Sequence, residues 1–250
     1  MRFSANLGFL WTELSLPDAI RAAKAAGFDA VECHWPYDFP ADQVKAALVE
    51  TGLPMLGLNT VRGNPGENGL SALPGREDEA RAAVDQALAY AVATDTAAVH
   101  VMAGFAVGTA AHATFVESLR HACAQAAPLG KTILIEPLNH YDAPGYFLQT
   151  TGQAVAIIEE VGADNLKLMF DCYHVQLMEG DLTNRLRKLQ PHIGHIQFAG
   201  VPARGRPNEG EVNYAHVFSH LRSLGYAAPL GAEYKPQGPT EPTLSWLGTL

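Results

Sequence analysis

Four residues at comparable places in the chain could hold a cation between them. Glu136 ends the apolar run 132–136, Asp171 ends 166–171, Gln197 lies in 192–199, and Glu233 lies in 230–234. Spacings of 35, 26 and 36 residues separate 136 from 171, 171 from 197 and 197 from 233. Three carboxylates and a carboxamide offer oxygen, the donor that hard divalent ions such as Mg²⁺ and Mn²⁺ prefer. Three negative charges from the protein would meet two positive charges on the ion, leaving positions for a substrate or water. Zinc, which draws His and Cys, ranks lower. One polar residue at the end of an apolar run is ordinary surface; four in succession at a repeat spacing point to a site.

Something must bring these four together. Short apolar runs recur at 3–7, 30–33, 54–59, 97–102, 132–136, 166–171, 192–199 and 230–234. Most are too short for a helix and several are β-branched, so they are read as strands. Helical segments are expected between them: from Leu16 to Gly27, then 41–51, 76–94, 114–127, 151–161, 181–189, 214–224 and a short last one at 241–247. Pro17 near a first turn and Gly27, Gly52, Gly162 and Gly225 past last turns punctuate the pattern. Strand–helix alternation implies parallel strands, and 250 residues over eight units is about 31 per unit. A doubly wound open sheet would carry a glycine-rich fingerprint after an early strand. Gly-Phe-Leu-Trp-Thr-Glu follows the first one instead. The expectation is an α/β chain forming a single (β/α)8 TIM barrel over residues 1–250. The long irregular stretches 60–75 and 200–213 follow strands three and seven, on the face where barrels keep their chemistry.

The net charge is −9, from 17 basic and 26 acidic residues, and no basic stripe is visible, so a nucleic-acid partner is not expected. No stretch has the ~18 apolar residues that would span a bilayer, and the first residues lack the apolar run of a secretory signal. Cys33, Cys123 and Cys172 are odd in number and form no CxxC, which speaks against a disulfide framework or a thiolate zinc site. A cytoplasmic chain with reduced thiols is the expectation. Nothing in the residues decides between a monomer and a homo-oligomer.

Motifs spread along most of the chain then become specific. They are Phe-Ser-Ala-Asn-Leu at 3–7, Trp35-Pro36-Tyr37, Leu-Pro-Gly-Arg-Glu at 73–77, Ile-Glu-Pro-Leu-Asn at 135–139 and Pro144 to Leu148. Further on come Asp171-Cys-Tyr-His174, Met178-Glu179-Gly180-Asp181, Gly194-His-Ile-Gln197, Gly210-Glu211-Val-Asn213-Tyr214 and Glu233-Tyr-Lys-Pro236. In this combination the chain resembles the hydroxypyruvate isomerase family of the xylose-isomerase-like barrels. The resemblance implies that Glu136, Asp171, Gln197 and Glu233 bind one divalent metal ion, Mg²⁺ or Mn²⁺. It implies that Glu136 and Glu233 flank the substrate as the proton-transfer groups. The reaction implied interconverts hydroxypyruvate and tartronate semialdehyde through an enediolate, with a small anionic hydroxy-oxo acid as substrate. Related ketose 3-epimerases usually carry His where this chain has Gln197, which favours the isomerase branch.

The same resemblance suggests that His174 contacts a substrate oxygen. Arg204, in the loop after strand seven, could clamp a substrate carboxylate in bidentate fashion, and Asp142 could meet a hydroxyl. Successive strand residues face opposite ways, so Lys235 is expected to stay out of the site. His195, two residues before Gln197, and His100 are expected to be buried and hydrogen-bonded. Phe9 and Trp11 could cover the pocket or pack in the core. The chain departs from the family pattern at His34, at Ala199 to Pro202, at Arg206 to Glu211 and in the loop after strand three, which lacks a Trp. These places border the substrate, so two neighbouring activities stay open: isomerisation of a four-carbon 2-oxo acid, 2-oxotetronate, and epimerisation of a ketose at carbon 3. A repair endonuclease would want three metals, more His ligands and a basic groove. A non-enzymatic binder of carbohydrate acids is the remaining alternative.

Overall fold

A computed structural model describes residues 1–250. Eight parallel strands alternate with helices: β1 Phe3–Asn6, β2 Ala30–Glu32, β3 Gly57–Asn59, β4 Ala98–His100, β5 Thr132–Ile135, β6 Leu166–Asp171, β7 Ile193–Phe198 and β8 Leu230–Ala232. The sheet runs β2-β1-β8-β7-β6-β5-β4-β3. Its two ends meet: Val31 N–H donates to Pro54 O at 3.0 Å, Leu56 N–H to Val31 O at 2.8 Å, and Cys33 N–H to Gly57 O at 3.1 Å. The result is the expected TIM barrel. All eight strands fall inside the runs read from the sequence, most of them shorter by one to three residues.

The helices are α1 Leu16–Ala25, α2 Ala41–Thr51, α3 Glu77–Thr94, α4 Gly108–Ala126, α5 Thr151–Val161, α6 Cys172–Met178, α7 Leu182–Leu189 and α8 Tyr214–Ser223. Side-chain caps start several of them: Ser15 accepts from Asp18 N–H, Thr150 from Gln153 N–H, and Asn213 from His216 N–H. Three expectations need correction. Helix α4 begins at Gly108, six residues before Thr114, and no side-chain cap marks that start. Helix α6 was not expected at all; Asp171 caps it as it leaves β6, accepting from Tyr173 N–H at 2.9 Å. The segment Glu241–Gly248 is a 3₁₀ rather than an α-helix. No helix is long and apolar enough to cross a membrane.

Two apolar regions result. A 64-residue cluster packs the outer face of the barrel against the helices. Inside the barrel, Ala98, Leu134 and Met169 form a separate small plug. Two residues further along each of these three strands stand His100, Glu136 and Asp171. Side chains repeat their facing every second residue, so these three point inward on a layer above the plug.

Candidate active site

The strand-end pattern that singles out Glu136, Asp171, Gln197 and Glu233 extends to the whole ring. Asn6, Glu32, Asn59 and His100 close β1 to β4, so every strand delivers a polar residue at or near its C-terminal end. Register aligns them: Asn6 pairs with Glu32, Asp171 with Gln197, and Gln197 with Gly231, two residues before Glu233. Asn6, Glu32, His100, Glu136, Asp171, Gln197 and Glu233 are all buried. Above them opens a cavity of about 250 Å³. Glu136, Glu233, His174, Arg204 and Asp142 line it, with His34, Arg62, His100 and Lys235.

The two glutamates differ in their surroundings. Glu136 Oε1 has no hydrogen-bond partner. Burial, reinforced by the charges of Glu233 and Asp171, holds its carboxyl well above the usual range. Glu233 is fully engaged. Its Oε1 accepts from Asn6 Nδ2 at 2.9 Å and lies 2.9 Å from His34 Nε2, while Oε2 meets the Arg204 guanidinium. Burial alone would raise Glu233, but Arg204 and His34 hold it well below the usual carboxylate range. Asp171 lies between these extremes, pushed up to about 8 by burial against the pull of Arg204.

His174 occupies the first turn of α6 with a fixed tautomer. Asn139 Oδ1 accepts main-chain N–H bonds from Tyr141 at 3.0 Å and Asp142 at 2.9 Å, which sets the orientation of its amide. Asn139 Nδ2 and its own main-chain N–H therefore both face His174 Nδ1, at 2.7 and 3.0 Å. Nδ1 is the acceptor, so Nε2 carries the proton. That N–H faces Asp171 Oδ2 at 3.6 Å and Glu136 Oε1 at 3.8 Å. Glu136, Asp171 and His174 offer atoms close enough together for an ion, but a protonated Nε2 has no lone pair to give. Burial holds the imidazole neutral, its pKa lowered to about 3.

Gln197 donates from Nε2 to Glu32 Oε1 at 2.9 Å, and its Oε1 has no protein partner. Arg204 reaches in from the loop after β7 at a left-handed φ of 52°. Lys235 N–H holds its carbonyl at 2.8 Å. Its guanidinium contacts Glu233, Asp171 at 3.4 Å and Asp142 at 3.5 Å. Arg204 is thus engaged by protein carboxylates rather than standing free. Asp142 also accepts from Asn139 Nδ2 at 3.1 Å.

Some minor expectations need revision. His100 is buried as expected, but neither ring nitrogen has a partner; burial lowers its pKa to about 3, and Nδ1 stands 3.7 Å from Glu136 Oε2. Lys235 lines the cavity despite its position beside Glu233, because the chain has left β8 and strand alternation no longer holds. Arg62 also lines it, its Cζ 3.8 Å from the Trp35 ring centroid. Neither cation is paired with a carboxylate. Phe9 walls the cavity, whereas Trp11 is buried in the core with its Nε1–H on Glu241 at 2.7 Å. Glu32, Asn6 and Asn139 were missed. The strand-end rule, applied to all eight strands, would have found the first two; Asn139 lies in an irregular turn whose hydrogen bonds leave no spacing signal.

The xylose isomerase-like TIM barrel family matches residues 20–250. A 2-oxo-tetronate isomerase from Cupriavidus necator is 44% identical over 98% of this chain and 97% of its own. The hydroxypyruvate isomerase of Escherichia coli is 39% identical over 99% of this chain and 98% of its own. A crystal structure of "AP endonuclease, family 2" from Brucella melitensis superposes with a TM-score of 0.96 at 41% identity, covering 99% and 98% of the two chains.

Proposed function

The chain belongs to the xylose isomerase-like TIM barrel family, and from that premise we propose that it is a cation-dependent isomerase of a small hydroxy-oxo acid. The substrate is hydroxypyruvate, interconverted with tartronate semialdehyde. The observation that carries this reading is the buried ring of three carboxylates and a carboxamide below a cavity bordered by unpaired cations. Glu136 Oε1 and Gln197 Oε1 are buried oxygens without a partner. Leaving such atoms unpaired costs about 1–3 kcal/mol each, and a hard divalent ion would satisfy them. The donor set contains no sulfur and, with His174 protonated on Nε2, none of its lone pairs. Glu136, Asp171, Gln197 and Glu233 would hold Mg²⁺ or Mn²⁺. When bound, the ion supplies Lewis-acid stabilisation of charge developing on substrate oxygen.

The chain's own residues supply the rest. Isomerisation removes a proton from carbon 3 and delivers one to carbon 2, while the hydroxyl proton passes from O3 to O2. Glu136 and Glu233 approach from strands three places apart in the ring and serve as the carbon acid–base pair. His174, a cavity-lining residue whose Nε2–H faces Asp171 and Glu136, and His100 are neutral imidazoles able to bind and relay the oxygen-bound proton. Arg204, Arg62 and Lys235 face the substrate carboxylate, and Asp142 meets a hydroxyl. Residues 1–250 act as one isomerase domain, and a cytoplasmic setting suits its three unbonded, buried cysteines.

A second reading, the same chemistry on 2-oxotetronate, is favoured by the 44% identity with the Cupriavidus necator enzyme. A nucleic-acid substrate, suggested by the name of the Brucella melitensis protein, fits poorly with a net charge of −9. The test is turnover by chelator-treated protein on hydroxypyruvate, 2-oxotetronate and a neutral ketose, with and without added Mg²⁺ or Mn²⁺. Restored activity on an acid supports the proposal. Activity confined to the ketose, or unaffected by removing and restoring the ion, would contradict it.

A further inference from the structure

One member of the ring has no part in the reaction. Glu32, at the end of β2, is 3% exposed and carries three donors. His195 Nε2 lies 2.5 Å from Oε2; Gln197 Nε2 lies 2.9 Å and Asn6 Nδ2 3.1 Å from Oε1. His195 sits a layer lower, paired in register with Met169 of the plug. Glu32 and His195 make a buried pair, with His195 Nε2 on one carboxylate oxygen and the two amides on the other. Room for it comes from β8: a Cβ on Gly231 would stand 2.5 Å from Glu32 Oε1 and 2.8 Å from Gln197 Cγ.

A carboxamide has two ends of nearly equal shape and opposite hydrogen-bonding character. Unconstrained, Gln197 beside three carboxylates would turn its NH₂ toward them, and an amide N–H cannot ligate a cation. The Glu32 acceptor prevents that turn. We infer that Glu32 is a positioning residue: by holding the N–H end of Gln197, it leaves Oε1 as the unpartnered end and makes the amide an oxygen donor to the cation site. Ligands held from behind in this way typically lose 10–100-fold in metal affinity when the partner is removed. The inference rests on the cation reading proposed above.

The experiment is Mn²⁺ binding to the full chain by titration calorimetry, for the parent, Glu32→Leu, which has no acceptor, Gln197→Ala and the double variant. Glu32→Leu should weaken Mn²⁺ about 10–100-fold and should add nothing in the Gln197→Ala background. A parent-like affinity for Glu32→Leu overturns the inference. So does an equal loss in both backgrounds, because that would make Glu32 a distant negative charge rather than an orienting acceptor. A parent that binds no Mn²⁺ sinks the cation reading itself, a separate result. The Gln197 side-chain amide, assigned by its loss in Gln197→Ala, provides a readout in the parent alone. Its protons should exchange slowly without metal and stay on Glu32 when Mg²⁺ is added. Fast exchange, or a turn of the amide on Mg²⁺ addition, overturns the inference even where Glu32→Leu fails to fold.

Discussion

Single residues carry the chemistry, and their surroundings decide how. Glu136 and Glu233 share a type and a buried layer, yet one is unpartnered and the other is held by Asn6, His34 and Arg204. In the reaction proposed, replacing either by Gln removes a proton-transfer group, and turnover should fall by about 10²–10⁴-fold; steady-state rates on hydroxypyruvate with metal present check this. Arg62 and Lys235 have a different part to play. They touch no protein carboxylate, so Arg62→Ala and Lys235→Met should raise KM for the acid several-fold and leave kcat nearly unchanged, a split that marks binding common to ground and transition states. At this scale the sequence was legible where chemistry and spacing coincided. Four groups on consecutive strands, three of them carboxyls, stood out, whereas Asn6, Glu32, Asn59 and His100 at equivalent positions did not, because a single carboxyl among two amides and an imidazole makes no run. The partners of Arg204 could not be read, since the path of the loop after β7 is set by tertiary contacts without any period.

Elements hold those residues in place, and their start signals explain what was and was not visible. The strands announced themselves by apolar runs bounded by Gly and Pro. Helix α6 was hidden because its first residues double as site residues: Asp171 is at once a strand end and an N-cap, and His174 sits in the first turn. An Asp before the apolar stretch Cys-Tyr-His-Val was a readable cap. The terminal 3₁₀ segment matters more than its length suggests. It places Trp246 against Phe3, Phe28, Phe198 and Tyr234, with ring centroids 5.1–6.2 Å apart. Trp246→Ala should cost about 3–5 kcal/mol of stability, measurable by urea unfolding; a loss under 1 kcal/mol would show that this segment does not brace β1, β7 and β8.

The whole molecule is a plugged barrel with charge concentrated at one end, and that arrangement makes stability depend on pH. In the metal-free chain, burial raises Asp171 to about 8 and holds Glu136 well above 4.5. These carboxyls bind protons when folded and release them when unfolded. Stability should therefore increase as pH falls from about 8 to 6.5, by up to about 1.4 kcal/mol per pH unit for each group titrating. His195, raised above 6.5 by Glu32, acts in the same direction. Below 6.5 the trend should flatten. His100 and His174 are lowered to about 3, stay neutral in the fold and are protonated only when unfolded, so they withdraw stability as pH falls. Urea unfolding at pH 8, 6.5 and 5 in chelator checks both limbs, and added Mg²⁺ should reverse the upper one by favouring the ionised carboxyls.

In the reaction proposed, this ring moves a carbon-bound proton with the help of a cation. Deuterium incorporation into hydroxypyruvate in D₂O, followed by NMR, tests it most directly. Label is expected at carbon 3 of hydroxypyruvate and carbon 2 of tartronate semialdehyde, dependent on Mg²⁺ or Mn²⁺ and lost in Glu136→Gln and Glu233→Gln. Label entering at the parental rate in both variants, or no label under any metal condition, would contradict it.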